Sequence, residues 1–592
     1  MKHDPSTQNS GDRGLASISV LSESSFLDVL SRQAGHKTQG VPAGIALVVD
    51  GEGRLVGTVT DGDIRRGILE KGSLGGTARE VMNDDPITFD HRLSFQDILR
   101  SIPAELRRRG RSSDRFLGKV VLVDEVRRPV RVLDYHRLWE QKVATHRHVS
   151  VIGLGYVGLT LALTLADRGY RVTGVDVDPK KIDMLNKGEL YVHEIGLPAL
   201  FKEHNNGNFH ASTRMAEAGD VFIISVGTPV KDATHLPTLD YLRSACEMVG
   251  AKLGLGALVI LRSTVPIGTT RDFVAPLLEK MSGLKAGSDF HLAFAPERTV
   301  EGNALRELLE LPQIIGGINE DSMEAASALF REINAAIVRV GSCESAEMAK
   351  LINNCFRDLI FSFSNEMARL AHRYNIDIVK VVKASNSGYP RDPVPLPSPG
   401  VGGPCLTKDP YILASVAHAA GIESTLGEKG RAINEGMIGF VADRIVAGIA
   451  ASGKDPKQAR VLVCGLAFKG RPETGDLRNS PALDLCAALR GRVGGLFGHD
   501  PVASDADIKA ERLVPAKLPD GFAGMDAVAF MNNHESFRKV DVFEMVRAMA
   551  QKPVVFDGWN LISEDDVLQA APATYLGLSH SRTGGPGRAG EA

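Results

Sequence analysis

The chain has 592 residues, which at about 150 residues per domain predicts roughly four folded units rather than one core. Its 69 basic and 72 acidic residues leave a formal net charge of −3, which gives no overall field for binding a nucleic-acid backbone or an anionic membrane. Six scattered cysteines form no C-x-x-C pair, and we predict no metal site. Because the N-terminus lacks a signal-peptide core and the apolar stretch LGLGALVIL stops at Arg262, we expect a soluble, cytoplasmic protein.

The N-terminal segment contains a weak internal repeat. ALVVDGEGRLVGTVTDGDIRRGIL is echoed by VVLVDEVRRPVRVLDYHRLWE, and each copy predicts a strand, a tight turn, a strand and a helix. The first copy resembles a CBS motif with Gly57, Thr60 and Asp63 at its characteristic positions, which implies that Thr60 and Asp63 hold the ribose of an adenine nucleotide. The second copy has Leu133 and His136 at the matching positions, so one ligand site is degenerate. A regulatory nucleotide sensor and a module used only for dimer contacts both remain open.

A dinucleotide-binding pattern follows in HVSVIGLGYVGLTLALTLADRGYRVTGVDVD, which reads as strand, glycine turn, helix and a second strand ending in an acid. Gly153 allows the tight turn, Gly155 lets the backbone approach a pyrophosphate, and Gly158 lets the helix pack on the strand. The Asp176 carboxylate would accept from both ribose hydroxyls and repel a 2′-phosphate, so NAD is favoured over NADP. The predicted cofactor contacts are Gly153, Gly155, Tyr156, Val157, Gly158, Asp176, Lys181 and Thr228.

The remaining elements are further strands, one long helix and a second strand–helix series. Strands are predicted in ADVFIISVGTPV, GALVILRSTVP and DFHLAFAPE. A helix is predicted from Ser345 to about Tyr374, long enough to be a spine shared between subunits, with Lys350, Asn354 and Arg357 as its polar stripe. The second series begins at about Ala459 and places Lys469 and Arg478 where they suit a nucleotide diphosphate.

Six motifs in chain order carry a family resemblance: GLGYVG, STVP, PERTVEG, AEMAKLINN, GVGGPCLTKD and GLAFKG. From about Arg147 to Ile562 the chain resembles the UDP-glucose/GDP-mannose dehydrogenase family. The resemblance implies oxidation of a nucleotide sugar's C6 alcohol to a carboxylate with two NAD, through a cysteine-bound thiohemiacetal and thioester. We expect an α/β fold with two Rossmann-like doubly wound domains joined by a long central helix and preceded by a small α+β CBS pair. The predicted units are a disordered tail (1–15), the CBS pair (16–145), the NAD-binding domain (146–340), a central helical and dimerisation domain (341–440), the UDP-sugar-binding domain (441–575) and a second disordered tail (576–592).

Oxidation past the aldehyde needs a nucleophile that converts the carbonyl into a tetrahedral carbon able to release a second hydride. Cys405, in a glycine-rich loop, is the candidate, whereas the other five cysteines fit small buried hydrophobes. Lys350 and Asn354 would supply donors where negative oxygen develops on C6. Further roles are implied by the resemblance: Asp409 orients the lysine and a water, Glu297 assists thioester hydrolysis, and Thr264 helps hold the water.

The substrate is predicted to be UDP-N-acetylmannosamine or UDP-N-acetylglucosamine, because PER and the Arg357–Asp358 pair resemble the enzymes for UDP-N-acetylhexosamines. Such acids feed surface polysaccharides. The alternatives are UDP-glucose or GDP-mannose, an ordinary two-electron dehydrogenase, and a nucleotide-sensing regulatory protein with an inactive dehydrogenase body. Two departures from the family are extra residues between Lys469 and Arg478 and a tryptophan, Trp559, where many members have arginine. The predicted substrate contacts are Glu301, Arg357, Arg391 (donated to a neighbouring subunit of a homodimer or higher homo-oligomer), Gly403, Phe468, Lys469 and Arg478.

Overall fold

The computed structural model describes residues 15–34, 44–71, 73, 75–93, 98, 101–102, 105, 108, 119–134, 148–215, 219–231, 234–423 and 425–584. His136 and the outer parts of both predicted tails, 1–14 and 585–592, lie outside the described residues. Within the described residues, the large elements confirm the predicted class, since two doubly wound sheets are joined by a long helix and preceded by two small sheets. No helix in this described part is both long and apolar enough to cross a bilayer.

The N-terminal part consists of two matching three-stranded sheets. In each sheet a parallel pair is followed by an antiparallel hairpin, so the internal repeat of the sequence is a structural repeat. Apolar side chains of the two hairpins, including Leu47 and Val121, share one core cluster. The elements are β1 (Ser19–Leu21), α1 (Phe26–Ala34), β2 (Ile45–Val49), β3 (Leu55–Thr60), α2 (Asp61–Lys71), α3 (Ala78–Val81), β4 (Thr88–Asp90), β5 (Lys119–Val123) and β6 (Pro129–Asp134).

The next unit is an eight-stranded sheet in which every pair is parallel except β12 with β13. Its central strands are apolar at every position and buried on both faces, as parallel strands covered by helices must be. The elements are β7 (His148–Ile152), α4 (Tyr156–Asp167), β8 (Arg171–Val175), α5 (Pro179–Asn186), α6 (Leu197–His204), β9 (Phe209–Ser212), β10 (Val221–Ile224), α7 (Asp240–Gly250), β11 (Leu258–Leu261), α8 (Ala275–Ser282), β12 (His291–Phe294), α9 (Ala304–Glu310), β13 (Gln313–Gly317), α10 (Glu320–Arg331) and β14 (Ile337–Ser342). The strand order is β14-β13-β12-β11-β10-β7-β8-β9.

A helical layer follows, built on α11 (Cys343–His372), α12 (Ile378–Asn386), α13 (Asp409–Ala419) and α14 (Leu426–Ala451). The α11 helix has 30 residues, and Ser342 caps its N-terminus through a side chain that accepts from the Ser345 amide. One face of α11 is buried, while Ile352 and Phe356 on another face are 53% and 63% exposed. The α14 helix runs through residue 440, so the predicted boundary between the central and C-terminal units falls inside a continuous helix.

The C-terminal unit is a seven-stranded sheet with strand order β17-β16-β15-β18-β19-β20-β21. Its elements are β15 (Arg460–Cys464), α15 (Pro481–Leu489), β16 (Gly495–His499), α16 (Asp505–Ala510), β17 (Val514–Pro515), β18 (Ala527–Phe530), α17 (Val542–Ala548), β19 (Val554–Asp557), α18 (Glu564–Ala570), β20 (Ala573–Gly577) and β21 (Ser581–Gly584). The prediction of a disordered tail from residue 576 is wrong for residues 576–584, because β21 pairs antiparallel with β20.

Candidate active site

A cavity of about 600 Å³ lies where the loop after β12, the helix α11, the glycine-rich loop before α13 and the C-terminal unit meet. Residues distant in sequence therefore share one space. Of the predicted residues, its walls include Cys405, Lys350, Asn354, Glu301, Arg357, Gly403, Phe468 and Lys469. Further wall residues that we had not assigned include Arg298, Asn353, Phe361, Arg471 and Asn533, together with Trp559.

The glycine-rich loop presents Cys405 to this cavity. Gly403 has φ +92°, and a Cβ at this position would lie 2.7 Å from the Phe468 ring, so both backbone and packing require glycine. The buried Arg431 guanidinium donates to the carbonyls of Val401 and Leu406 at 2.8 and 3.2 Å, which holds the loop on both sides of the cysteine. The other five cysteines are buried, as predicted, and Cys405 is exposed.

The groups around Cys405 shift the pKa of its thiol in opposite directions. Although the residue is accessible from the cavity, the closely packed protein around the sulfur raises the pKa of the Cys405 thiol, and Asp409 adds to this effect. Lys350 and Lys408 lower that pKa by favouring the thiolate. Two cations therefore face the group that must become an anion when it attacks.

The helix α11 supplies Lys350 and Asn354 one turn apart. Lys350 Nζ donates to the backbone carbonyl of Glu297, and Asn354 Nδ2 donates to Asp409 Oδ2 at 2.6 Å. The other carboxylate oxygen of Asp409 accepts from Lys408 Nζ at 2.8 Å. Among the described residues, the ammonium that Asp409 orients is thus that of Lys408, and not that of Lys350 as the family resemblance implied.

The carboxylate of Glu297 already accepts four hydrogen bonds. Arg262 donates to Oε2 through Nε at 3.1 Å and through Nη2, while the amides of Arg298 and Thr299 both donate to Oε1 at 2.7 Å. Burial alone would raise the pKa of Glu297, but Arg262 and the Thr299 amide hold it below its usual range. These donors hold the Glu297 carboxylate in one orientation, and its role in activating water stays a prediction.

Glu301 is the second carboxylate of PERTVEG, and its setting differs. Burial and the neighbouring Asp476 carboxylate raise the pKa of Glu301 to about 7. Its Oε1 lies 3.3 Å from Arg478 Nη2, and within the described residues its Oε2 has no hydrogen-bond partner. Lys469 Nζ donates to the Glu301 carbonyl at 2.6 Å. Glu301 lines the cavity that holds Cys405, while its Oε2 atom is itself buried.

The nucleotide-side cations are arranged differently from the prediction. Arg478 makes a bidentate contact with Asp476, with Nε 2.9 and 3.0 Å from the two carboxylate oxygens, and it is not among the described residues that line the cavity. Burial lowers the pKa of Lys469, whereas the carboxylates around it oppose that shift. Arg471, which was not predicted, lines the cavity together with the predicted Lys469.

The residues of the glycine turn fit a dinucleotide. Gly153 has φ +93°, a Cβ on Gly158 would lie 1.8 Å from the Gly153 carbonyl, and a Cβ on Gly155 would face open space where a pyrophosphate can approach. Asp176 lies at the end of β8 and accepts from the Leu154 amide at 2.9 Å and from Lys181 Nζ at 3.3 Å. An acid at this position is the usual partner of an NAD ribose.

Other predicted cofactor residues connect this turn to neighbouring loops. The Tyr156 hydroxyl accepts from the Gly302 amide at 2.6 Å, and Val157 is half-buried at the start of α4. Thr228 is buried and donates to the Thr264 carbonyl, while Lys408 Nζ lies 3.5 Å from the Thr228 hydroxyl oxygen. Thr264 therefore contacts Thr228 through its backbone carbonyl. It is not among the described residues that line the cavity.

Two predicted groups lie apart from the cavity. Arg391 is exposed, with its guanidinium 5.1 Å from the centre of the Tyr389 ring. In the N-terminal unit, the Thr60 hydroxyl donates to Asp63 Oδ2 at 2.7 Å, and Arg66 pairs with the other carboxylate oxygen. The predicted nucleotide ligands Thr60 and Asp63 are thus adjacent at the start of α2.

Sequence reasoning missed Lys408 and Arg262 as members of the site. Lys408 directly precedes Asp409 in the CLTKD motif, and this neighbouring positive charge could have indicated an ion pair with Asp409. Arg262 follows four buried apolar residues of β11, and a charged residue at the end of such a strand must find a partner.

Comparisons with known proteins agree with this geometry. Residues 147–334, 344–436 and 462–564 match, respectively, the NAD binding domain, the central domain and the UDP binding domain of the UDP-glucose/GDP-mannose dehydrogenase family. The chain belongs to the UDP-glucose/GDP-mannose dehydrogenase family. It is accordingly an NAD-dependent nucleotide-sugar dehydrogenase, as predicted, and residues 17–70 match the CBS domain.

Individual members of this family are similar over nearly their whole length. The UDP-N-acetyl-D-mannosamine dehydrogenase of Pyrococcus horikoshii is 35% identical over 422 residues, which cover 71% of this chain and 97% of that protein. The enzyme of the same name from Campylobacter jejuni is 34% identical, covering 67% of this chain and 98% of that protein. The solved structure of the Pyrococcus horikoshii UDP-D-ManNAc dehydrogenase matches with a TM-score of 0.66 at 34% identity, covering 73% of this chain and 99% of that chain.

Proposed function

We propose that this protein oxidises the C6 alcohol of UDP-N-acetylmannosamine to the carboxylate, with UDP-N-acetylglucosamine as the second candidate, for surface polysaccharide synthesis. The observation that carries the proposal is one cavity shared by Cys405, Lys350 and Asn354. The names of the relatives described above support the choice of sugar. The overall reaction converts the alcohol, two NAD and water into the acid and two NADH with release of protons. The six free cysteines suit the reducing cytoplasm that we propose as its location.

The residues of the cavity divide the reaction into two oxidations and a hydrolysis. Bound NAD supplies the hydride acceptor in both oxidations. Between them, the Cys405 sulfur forms a bond to C6 of the aldehyde, and Lys350 and Asn354 donate to the oxygen that becomes negative. The second oxidation leaves a thioester on Cys405. Water then breaks the carbon–sulfur bond, which returns the thiol and releases the acid.

Hydrolysis of the thioester requires a base, and we propose Glu301 for this role alongside the predicted Glu297. Glu297 already accepts four hydrogen bonds and is not among the described residues of the cavity wall, whereas Glu301 lines that wall. A pKa of about 7 lets Glu301 accept a proton near neutral pH and still leaves it ionised for the next turnover.

The test of the proposed function is the NADH yield of the full chain with a panel of UDP- and GDP-sugars. We expect two NADH per molecule of UDP-N-acetylmannosamine, and a lower kcat/KM for UDP-N-acetylglucosamine, UDP-glucose and GDP-mannose. One NADH per sugar would identify an ordinary two-electron dehydrogenase. No NADH with any sugar of the panel would favour a sensor with an inactive dehydrogenase body.

We also propose that the chain forms a homodimer through the exposed face of α11. Met348, Ile352 and Phe356 are spaced four residues apart, so they form an apolar stripe along the helix, and each is at least 46% exposed in the isolated chain. Burial of such a stripe against a second copy would remove it from water. Arg391, exposed and outside the cavity, is then available to a neighbouring subunit.

For the N-terminal unit we propose an adenine nucleotide at Thr60 and Asp63. Their hydroxyl and carboxylate are held 2.7 Å apart, which suits the two hydroxyls of a ribose. We expect AMP or ATP to raise the unfolding midpoint of the full chain, because a ligand that binds only the folded state stabilises it. The Thr60→Val variant should lose this shift, and Thr88→Val in β4 of the second three-stranded sheet should keep it. A midpoint that neither nucleotide moves would make the unit a structural module.

A further inference from the structure

A buried ion pair joins the long helices α11 and α14 beside the loop that carries Cys405. Arg431 on α14 and Asp358 on α11 are each 1% exposed, and Arg431 Nη1 donates to Asp358 Oδ1 at 2.7 Å. The two helices approach closely here, because a Cβ on Gly430 would lie 2.9 Å from Ser362 Oγ. A charge taken this far from water needs partners for its remaining hydrogen-bonding groups as well.

Arg431 also binds the loop on the two sides of Cys405. Its Nη2 donates to the Val401 carbonyl at 2.8 Å, and its Nη1 donates to the Leu406 carbonyl at 3.2 Å. Its Nε lies 3.3 Å from Oε1 of Glu435, whose side chain is half exposed. One planar, rigid guanidinium therefore attaches two points of the loop to the pair of helices.

Amide side chains extend the same contact to the start of the loop. Asn434, one turn after Arg431 on α14, donates to Asp358 Oδ1 at 2.9 Å. Its own Oδ1 accepts from Asn365 Nδ2 at 2.9 Å, and Asn365 Oδ1 accepts from the Ser398 amide at 2.8 Å. The loop is thus held at its start by an amide side chain and further along by the guanidinium, and Asp358 orients both groups on α14.

We propose that Arg431 is a positioning residue for Cys405 and that Asp358 orients Arg431 for this role. The sequence GVGGPC gives the loop little stiffness of its own, because glycine backbones have more conformational freedom than others. The place of the sulfur is therefore set by the groups that bind the loop carbonyls. The inference rests on the proposed function for its catalytic consequence, because Cys405 is assigned there to form the bond to C6.

Arg431→Gln tests the proposal, because one glutamine amide cannot bind Asp358 and both loop carbonyls together. A displacement of about 1 Å at a reacting group costs roughly 100-fold in rate, so the second oxidation should slow about 100-fold. The first oxidation, which precedes attack by the sulfur, and KM should both stay within about threefold. Rapid-mixing measurements of NADH and of the aldehyde separate the two oxidations. A second oxidation within about threefold of the unchanged rate would overturn the proposal.

A double variant separates positioning from stability. Arg431→Gln leaves the Asp358 carboxylate buried without its cation, so it should lower the unfolding midpoint. Adding Asp358→Asn removes the second charge and should recover much of the midpoint, whereas the second oxidation should stay about 100-fold slow because the carbonyls are still released. Asp358→Asn alone keeps the guanidinium and should slow the second oxidation about tenfold, through a weakened hydrogen bond. Recovery of the rate together with the midpoint in the double variant would show a purely structural ion pair and overturn the proposal.

The matched control is Arg444→Gln, which removes another buried arginine of the same helix. Arg444 is 6% exposed and donates to the carbonyls of Leu578 and His580 at 2.6 and 2.8 Å. This variant should lower the unfolding midpoint while both oxidations per folded molecule keep their rates. If Arg431→Gln does not fold, Arg431→Lys replaces it, since one ammonium can keep the ion pair and cannot bind both carbonyls. The second oxidation should then slow about tenfold.

Hydrogen exchange of the full chain reports on the loop without turnover. We expect the amides of residues 398–406 to exchange about tenfold faster in Arg431→Gln than in the unchanged protein, and at the unchanged rate in Arg444→Gln. Iodoacetamide should alkylate Cys405 in Arg431→Gln at least as fast as in the unchanged protein, because the thiol stays accessible and only its position changes. Unchanged loop exchange, or alkylation that slows in parallel with the second oxidation, would overturn the proposal. If the unchanged protein oxidises no sugar, the proposed function fails, and the loop exchange still decides the role of Arg431.

Discussion

Replacement of Cys405 by serine is expected to abolish formation of the acid, with kcat for the second oxidation reduced at least about 10³-fold. The serine hydroxyl keeps the size of the side chain and loses the nucleophile, because a hydroxyl is far less acidic than a thiol and Lys350 and Lys408 cannot make it an effective anion. Product analysis by chromatography and mass spectrometry of the intact enzyme in stalled turnover measure this outcome. The unchanged enzyme should carry a sugar adduct on Cys405.

Cys355→Ser is the matched control for this substitution. Cys355 lies on α11 and is 6% exposed, and it is not among the described residues of the cavity wall. We expect some loss of stability from the buried hydroxyl and an unchanged yield of two NADH per sugar. Accumulation of free aldehyde with an unmodified Cys405 in the unchanged enzyme would contradict the covalent mechanism.

Glu301→Gln should stop the reaction at the thioester. Because both oxidations precede hydrolysis, we expect a burst of two NADH per active site, followed by steady turnover about 100-fold slower than that of the unchanged enzyme. Quenched-flow measurement of NADH and mass spectrometry of the Cys405 peptide follow the burst and the acyl adduct. A steady-state rate equal to that of the unchanged enzyme would show that another group activates the water.

The pH dependence of hydrolysis follows from the same group. The pKa of Glu301 is raised to about 7, so the ionised, active base is lost as the pH falls through 7, and the hydrolysis rate should fall about tenfold per pH unit below that value. Asp476→Asn removes the carboxylate that adds to the shift and releases Arg478 towards Glu301. Both changes favour the ionised form, so this variant should move the midpoint to lower pH.

Local patterns predicted the fold and the reacting groups, and they did not predict the pairing of charges. The buried strands and the α11 helix are visible as apolar runs and periodicity, and Cys405, Lys350 and Asn354 lie in short motifs. The partners of Glu297 and Glu301 are Arg262 and Arg478, which are 35 and 177 residues away, so their contacts arise only when the sheets and the C-terminal unit assemble. No spacing rule connects residues at such separations.

The errors at the edges of the units have equally local causes. Strand β21 is short and polar, with two exposed residues, so its composition resembles a tail, and only its pairing with β20 identifies it as a strand. The sequence carries no signal for a domain boundary near residue 440, because this position lies inside α14, a single helix of 26 residues. The contact of Asp409 with Lys408 was not predicted, because the family resemblance implied Lys350 of α11 as the lysine that Asp409 orients.

The loop that carries Glu301 is joined to both nucleotide-binding units at once. Tyr156 of the glycine turn contacts the Gly302 amide on one side, while Lys469 holds the Glu301 carbonyl on the other. A Cβ on Gly302 would lie 2.6 Å from the Glu473 carbonyl, so the C-terminal backbone presses directly against this loop. A hinge motion that separates the two nucleotide-binding units would pull these attachments apart, and it would therefore disturb the loop that carries Glu301.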